Sequence, residues 1–438
     1  MKLPNKAIQK YCPFLFLLSF GVATLLFWPG IMTSDASVQY IQAKAGIYSD
    51  HHPPVMSLIW RHLDYLYPES GLMMVLQFLL IYGASFIFYQ TFQEKRGAWA
   101  FLALPWIPGV LVYEYTILKD IHYAYSFLFS AALLTKAHIQ ERKLTFRESL
   151  LFFIILLYGT SVKFHGQYLA PVFLFWYVIH QLSFSEKTTL KKSMILLFVS
   201  GLFYGALTYI NTALVPPKQE DHSWQLVKLF DLAAISLAND ESYIPDANKG
   251  PGYSFQDMKD KFSRNYVDRL TFDQQPVLTK GKNEKEREAL WKTWALTILK
   301  HPLDYLGHRL KNLDSTVVGI PRFSEIKQSI RSCFSEETTF YKVTHSLTRV
   351  LSFLLLSPLP AFLLGGYYAF LAWRARKIAP EALPILYMLT PAFGMMLLLF
   401  VLSMAGMTRY VYISVCLIHA THFMAWQCAT KLRNPMEA

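Results

Sequence analysis

The residues that could do chemistry in this 438-residue chain stand at isolated positions between long apolar runs. A positioned carboxylate can act as a general base, and a lysine or arginine can stabilise a developing negative charge. The candidates, in chain order, are Asp35, Asp50, His52, Lys119, Asp120, Lys163, His165 and Arg409. They come from five separate segments, so the elements that carry them decide whether they can act together.

Those elements are predicted to be membrane-spanning helices. The chain is 53% apolar and only 16% charged, whereas soluble domains carry roughly a quarter charged residues. A bilayer core requires about 20 apolar residues. Ten runs without Asp, Glu, Lys or Arg are candidates: 11–34, 70–93, 97–113, 121–135, 149–162, 166–185, 193–217, 350–373, 382–408 and 410–430. The two shortest, 121–135 and 149–162, can span only with a flanking charge at membrane depth. We therefore expect an all-α polytopic protein with about ten transmembrane helices.

The distribution of basic residues predicts the orientation. If the amino terminus is cytoplasmic and the ten runs alternate, the short cytoplasmic segments carry 17 Lys and Arg and the short external segments carry five. This asymmetry is the positive-inside rule, and it predicts that both termini are cytoplasmic. The membrane that we expect is a bacterial plasma (inner) membrane. The net charge of +12 therefore orients the protein and requires no nucleic acid partner. The run 12–28 lacks a small-residue cleavage site and is interpreted as a retained span, not a signal peptide.

The chain divides into three predicted parts. Residues 1–216 form an amino-terminal bundle with a catalytic first external loop at 30–70. Residues 217–349 form a water-compatible, mostly helical external insert, and residues 350–438 form the carboxyl-terminal transmembrane helices. Three of the four cysteines, Cys12, Cys416 and Cys428, fall in predicted spans and only Cys333 lies outside. No external pair is available to form a disulfide.

The insert contains two predicted amphipathic helices that meet at His301-Pro302. Their apolar positions are Trp291, Trp294, Ile298, Leu303, Leu306, Leu310 and Leu313. Helices of this kind suit a membrane interface. A small soluble domain that packs these faces on itself explains the same pattern equally well.

The first external loop is predicted to contain a helix that begins near Ser34. Asp35, Gln39 and Gln42 then share one face, and Val38 and Ile41 share another. A catalytic role for Asp35 competes here with a simpler one, since Ser or Asp before a helix is typical of an N-cap.

The order of these features resembles the C-type superfamily of integral-membrane glycosyltransferases, which includes protein O-mannosyltransferases and lipid A aminoarabinose transferases. The resemblance rests on a first span, the acidic Asp35, a short amphipathic helix and His52-Pro53-Pro54 before a Leu/Trp-rich helix. It covers the ordering of most of the chain. The O-mannosyltransferases typically have a paired Asp-Glu where this chain has Ser34-Asp35.

The resemblance implies a hexosyl- or pentosyltransferase that uses a polyprenyl-phosphate sugar donor and a lipid, glycan or protein acceptor at the external face. It implies Asp35 as the base, with Asp120 and His52 as further catalytic residues. Asp35 and Asp120 are also candidate ligands for Mg²⁺ or Mn²⁺. The substrate-binding candidates are Gln39, Asp50, Lys119, Lys163, His165, Arg409 and Tyr410.

Other interpretations remain open at this point. Lys119 could instead extend to the headgroups and pair with Asp120 or Glu114, and Lys163 and Arg409 could anchor the protein at the interface. A transporter or lipid flippase is the alternative function, and an inactive scaffold is a third. The chain has no His-x-x-x-His spacing, phosphate-binding Gly-rich loop or Gly-x-Ser-x-Gly, which disfavours a zinc site, ATP-driven transport and serine hydrolysis.

Overall fold

The computed structural model describes residues 5–95, 97–184, 188–214, 221–319, 351 and 353–433, with the backbone alone at 5–10 and 214. The described chain is all-α apart from one pair of two-residue strands. Its helices are α1 (Asn5–Phe27), α2 (Ser34–Ala45), α3 (Val55–Leu66), α4 (Gly71–Phe92), α5 (Pro108–Glu114), α6 (Lys119–Ile139), α7 (Phe146–Val162), α8 (Gly166–Ser183), α9 (Thr189–Leu214), α10 (Gln225–Asn239), α11 (Phe255–Lys261), α12 (Asp268–Thr271), α13 (Glu284–Lys300), α14 (Pro302–Val317), α15 (Pro358–Ala375), α16 (Ala382–Leu402), α17 (Tyr412–Ala420) and α18 (His422–Arg433).

The chain forms two compact units. The first unit comprises Met1–Gln219, Leu354–Met395 and Tyr412–Ala438, and the second comprises Glu220–Phe353 and Met396–Val411. Cys12, Cys416 and Cys428 are buried and have free thiols. Cys333 lies outside the described residues.

Three helices of the described chain are long and apolar enough to cross a membrane: Gly71–Phe92, Thr189–Ala213 and Ala382–Leu402. A shorter apolar helix covers Tyr11–Phe27. The predicted count of ten transmembrane helices is therefore not confirmed. The predicted runs 97–113, 350–373 and 410–430 are interrupted, the second of them at Ser357.

Run 97–113 is divided by its prolines. It contains a 3-10 helix, Ala98–Trp106, and then the short α5. Ile107 between them is extended, because a proline at the next position disfavours the α conformation. Run 410–430 is also divided, at Thr421, into α17 and α18.

Helix α6 is the centre of the first unit. It packs against α4, α7 and α17, and most of its residues are buried. The hydroxyl groups of Ser126 and Ser130 donate to the carbonyl oxygens of His122 and Ser126, at 2.7 and 2.9 Å. These bonds satisfy polar groups inside an apolar core, where an unpaired donor would be costly. Because α6 packs against these three helices, the positions of its first residues, Lys119 and Asp120, are fixed within the first unit.

Other helices of the first unit present large apolar side chains outward. Leu25 on α1 is 83% exposed, and Leu197 and Phe198 on α9 are also exposed. Only 11% of the apolar stretch of α9 is buried within the described chain. Exposed apolar surface of this extent is typical of a lipid-facing or partner-facing side.

A short parallel strand pair joins the end of α1 to the start of α6. Strand β1 (Ile31–Met32) pairs with β2 (Thr116–Ile117), and the Ile31 N–H donates to the Tyr115 carbonyl at 2.8 Å. Gly30 has φ +88°, and a Cβ there would lie 2.8 Å from Ile117 Cδ1. The close approach therefore requires glycine, and it brings Asp35 towards Lys119.

Helix α2 begins at Ser34 as predicted, but its N-cap is Thr33. The Thr33 side chain accepts from the Ala36 N–H at 3.3 Å. Asp35 lies in the first helical turn, so the capping role considered for Ser34 or Asp35 is wrong.

The polar side of α2 is turned inward. Gln39 is fully buried, whereas Val38 and Ile41 are exposed, the latter by 66%. This inverted polarity suits a helix that covers a polar site on one side and faces an apolar medium on the other.

The second unit has its own apolar core, formed mainly by α10, α13 and the loops between them. Buried Asp231 on α10 accepts from Arg309 Nη2 on α14 at 2.5 Å and from Trp294 Nε1 at 2.9 Å. Burial raises the pKa of Asp231 to about 6, and the Arg309 guanidinium opposes this rise. The two predicted amphipathic helices are present as α13 and α14, and the break falls at His301.

Candidate functional site

Three residues from three segments meet at the amino-terminal end of α6. Lys119 Nζ lies 2.7 Å from His52 Nδ1 and 3.4 Å from Asp35 Oδ2. Lys119 and His52 are buried, whereas the Asp35 side chain keeps 25% of its surface exposed. The lysine therefore does not extend outward to the headgroups, and Asp35 is the accessible member of the group.

A second buried ion pair lies beside the first. Lys163 Nζ, from the hairpin between α7 and α8, donates to Asp120 Oδ1 at 2.7 Å. Both side chains are less than 10% exposed. Asp120 is thus paired with Lys163. We call Asp35, His52, Lys119, Asp120, Lys163 and His165 the charged cluster.

His52 is neutral within the charged cluster. Burial, with a further contribution from the Lys119 ammonium, lowers the pKa of His52 to about 3. The Lys119 ammonium can only donate, so His52 Nδ1 accepts and its proton is assigned to Nε2. The ring can therefore donate one hydrogen bond to a ligand.

His165 is the second neutral histidine of the charged cluster. Burial lowers its pKa to about 3, and the Lys163 ammonium acts in the same direction while Asp120 opposes it. The cluster therefore contains two cations, two carboxylates and two neutral rings. A phosphate that entered could take hydrogen bonds from both lysines, since ammonium groups are strong donors to anionic oxygens.

Buried polar atoms next to the cluster lack partners within the described chain. Gln39, one turn after Asp35 on α2, is fully buried, and neither its Oε1 nor its Nε2 has a hydrogen bond. The same is true of the buried hydroxyl of Ser57, five residues after His52. Buried amides and hydroxyls are nearly always bonded. These groups therefore favour a polar ligand with hydroxyl groups.

Three other predicted site residues, Asp50, Arg409 and Tyr410, are not members of the charged cluster. Asp50 lies in the turn before His52 and is half-buried. Arg409 and Tyr410 lie in the 3-10 turn Thr408–Val411, which belongs to the second compact unit. Their part in a donor pocket stays a prediction.

The donor set does not fit a cation held by the protein alone. Asp35 and Asp120 are each engaged by a lysine. Within the described ranges, no group of three or more His, Cys, Asp or Glu side chains is arranged to hold a metal ion. The Mg²⁺ or Mn²⁺ site at Asp35 and Asp120 stays a prediction, and the mechanism below has no step through it.

Sequence reasoning missed two polar residues that the fold buries. Tyr123 lies one helical turn after Asp120, and its hydroxyl is buried without a partner in the described chain. Its spacing from Asp120 is the signal that could have found it. Glu114 is fully buried, and no local pattern distinguishes it from an exposed loop residue.

Comparisons with known proteins add no identity to this site. No family model, no curated protein and no solved structure matches the chain.

Proposed function

We propose that the chain is a membrane glycosyltransferase that transfers a sugar from a polyprenyl-phosphate donor to an acceptor at the external face of a bacterial plasma membrane. The observation that carries the proposal is the charged cluster, in which two buried lysines lie beside a partly exposed carboxylate. Buried charge at the end of a membrane helix is expensive and is typically retained for function. The unpartnered Gln39 amide supports a hydroxyl-rich ligand.

The proposed mechanism uses residues of the charged cluster. Lys119 and Lys163 bind the donor phosphate, and Asp35 accepts the proton of the acceptor hydroxyl. The hydroxyl oxygen forms a bond to the anomeric carbon as the bond from that carbon to the phosphate oxygen breaks. The electron pair leaves with the phosphate, whose charge the lysines stabilise. His52 holds Lys119 in place and donates through Nε2.

The proposal includes the predicted topology of ten spans, cytoplasmic termini and an external insert. Three apolar helices and the outward apolar surface support membrane insertion. We expect an impermeant thiol reagent to label Lys259→Cys but not Glu141→Cys in sealed cells of a cysteine-free variant. Both positions are exposed, so their difference reports the side of the membrane. Labelling of Glu141→Cys in sealed cells, with Lys259→Cys protected, would reverse the orientation and place Asp35 in the cytoplasm.

Binding of the lipid carrier is the direct test of the function. A fluorescent polyprenyl phosphate should bind the full chain in nanodiscs, and Lys119→Met should weaken binding at least about 30-fold, because loss of one partner of a desolvated charge pair costs on the order of 2–5 kcal/mol. Lys44→Met is the matched control, since Lys44 is an exposed lysine on α2 that pairs with Asp64 at 3.7 Å. Equal affinity in the parent, Lys119→Met and Lys44→Met would contradict the proposed phosphate site.

A transporter or flippase is the second candidate, and one observation favours it. Both carboxylate oxygens of buried Glu114 lack a hydrogen-bond partner in the described chain, and an ionisable residue inside a bundle is a functional-site hypothesis that includes ion pathways and proton relays. The two functions differ in which carboxylate they require. Sugar transfer depends on Asp35 and not on Glu114, whereas proton- or ion-coupled transport requires Glu114.

A further inference from the structure

The second unit presents a continuous row of exposed leucines along α13 and α14. Leu299 and Leu303 are 77% and 80% exposed, and Leu296, Leu306 and Leu310 are also exposed. On α14, positions 303, 306 and 310 recur at i, i+3 and i+7 and share one face. We call these five leucines the leucine face.

Within the described residues of the second unit, nothing covers the leucine face, because α14 packs through its other side. His308, Arg309 and Asn312 are buried on that side. Gly307 lies beside the leucine face, and a Cβ there would meet nothing within 4 Å. The five leucines are therefore not part of the unit's apolar core.

The position of α14 indicates what covers it. Arg309 Nη1 donates to the carbonyl oxygen of Ser403 at 2.5 Å, and Ser403 directly follows α16. A Cβ on Gly406 would lie 2.8 Å from the Asn312 carbonyl, so the two backbones are in close approach. Helix α16 is long and apolar enough to cross a membrane. A membrane-spanning helix ends where the hydrocarbon gives way to headgroups, and the contact with Ser403 ties α14 to that end of α16.

The charges around the leucine face complement an anionic surface. Lys292, Lys300 and Lys311 are exposed on α13 and α14, and the exposed acidic residues of the two helices are Glu284 and Glu288 at the start of α13 and Asp314 near the end of α14. Trp291, at the start of the same stretch, is 48% exposed. Lysines and a tryptophan beside an apolar face are typical of helices that lie in a membrane interface.

We propose that the leucine face lies in the interfacial region of a bilayer and that α13 and α14 form an in-plane anchor with a preference for anionic lipids. The lipid occupant follows from the attachment of α14 to the end of a membrane-spanning helix and from the surrounding lysines. This anchor does not depend on the glycosyltransferase proposal, and its test requires no substrate.

The test places one nitroxide spin label at a time on the cysteine-free full chain in nanodiscs. Leu303→Cys probes the leucine face, Lys259→Cys on α11 is the exposed control, and Leu397→Cys on α16 is the reference within a membrane-spanning helix. Oxygen partitions into the bilayer, whereas a neutral nickel chelate stays in water. We expect the label at 303 to favour oxygen over nickel, with a ratio between those of Leu397→Cys and Lys259→Cys. Leu306→Cys should repeat the result.

Two outcomes would overturn the anchor. If the label at 303 meets nickel as freely as the label at 259, the leucine face is in water. If it is shielded from both oxygen and nickel, a protein surface covers the leucines, either a second copy of the chain or another partner.

The preference for anionic lipids has its own comparison. Nickel collisions at position 303 should be about twofold fewer in discs with phosphatidylglycerol than in phosphatidylcholine discs, since each lysine near an anionic surface favours binding. Lys300→Gln combined with Lys311→Gln should abolish the difference. Equal collisions in the two kinds of disc would refute the preference.

Discussion

Replacing Asp35 by asparagine should lower sugar transfer by roughly 10²–10⁴-fold, the usual contribution of a positioned general base. Folding and donor binding should be retained, because the amide has nearly the same shape and Lys119 keeps its bond to His52. The measurements are initial rates of transfer in nanodiscs and the affinity for a fluorescent polyprenyl phosphate.

Asp64→Asn is the matched control for this variant. Asp64, on α3, is also a carboxylate near a lysine, because it accepts from Tyr40 Oη at 2.7 Å and lies 3.7 Å from Lys44 Nζ. It is not part of the charged cluster, so Asp64→Asn should keep the parental rate. Because the helix cap is Thr33, a loss in Asp35→Asn cannot be ascribed to a lost cap. Full activity of Asp35→Asn would remove Asp35 as the base.

Replacing Lys163 by methionine should destabilise the protein by about 3–5 kcal/mol, because it removes the Lys163 partner of the buried Asp120 carboxylate. The measurement is the free energy of unfolding in detergent micelles by denaturant titration. Arg142→Met is the control, since Arg142 pairs with Glu148 at 2.7 Å in a partly exposed site. Because that pair is partly exposed to water, its loss should cost less than the loss of Lys163.

The double variant Lys163→Met, Asp120→Leu separates stability from function. Removal of both charges together should restore most of the stability, since an apolar pair of similar volume can replace a buried ion pair. Transfer should remain lost, because the donor phosphate still lacks Lys163. Parental activity in the double variant would show that the pair is structural, and an unchanged stability in Lys163→Met would contradict the buried pairing.

The sequence indicated the two faces of α2 but not their direction. Asp35 and Gln39 are four residues apart, which places them on one side of a helix. Either side could have faced inward, because the helix has both polar and apolar stripes. The pairing of β1 (Ile31–Met32) with β2 (Thr116–Ile117) and the packing of α3 against α2 decided which side of α2 faces inward.

The pairing of the lysines also depended on tertiary structure. Proximity in sequence suggested that Lys119 could pair with Asp120 or Glu114. Adjacent residues on a helix point about 100° apart and do not face each other, so Lys119 reaches Asp35 and His52 while Asp120 faces Lys163. These contacts join segments separated by 43 to 84 positions, and no local pattern encodes them.

Composition and periodicity alone determined that the chain is helical, that apolar runs dominate it and that the insert contains two amphipathic helices joined at His301-Pro302. These features are local, because they follow from hydrophobic spacing and from proline's missing N–H. Tertiary structure alone decided that Gln39 is buried without a partner in the described chain and that the leucine face points away from its own core. Each of these depends on which other segment lies opposite, and burial against a distant segment leaves no mark in the spacing of nearby residues.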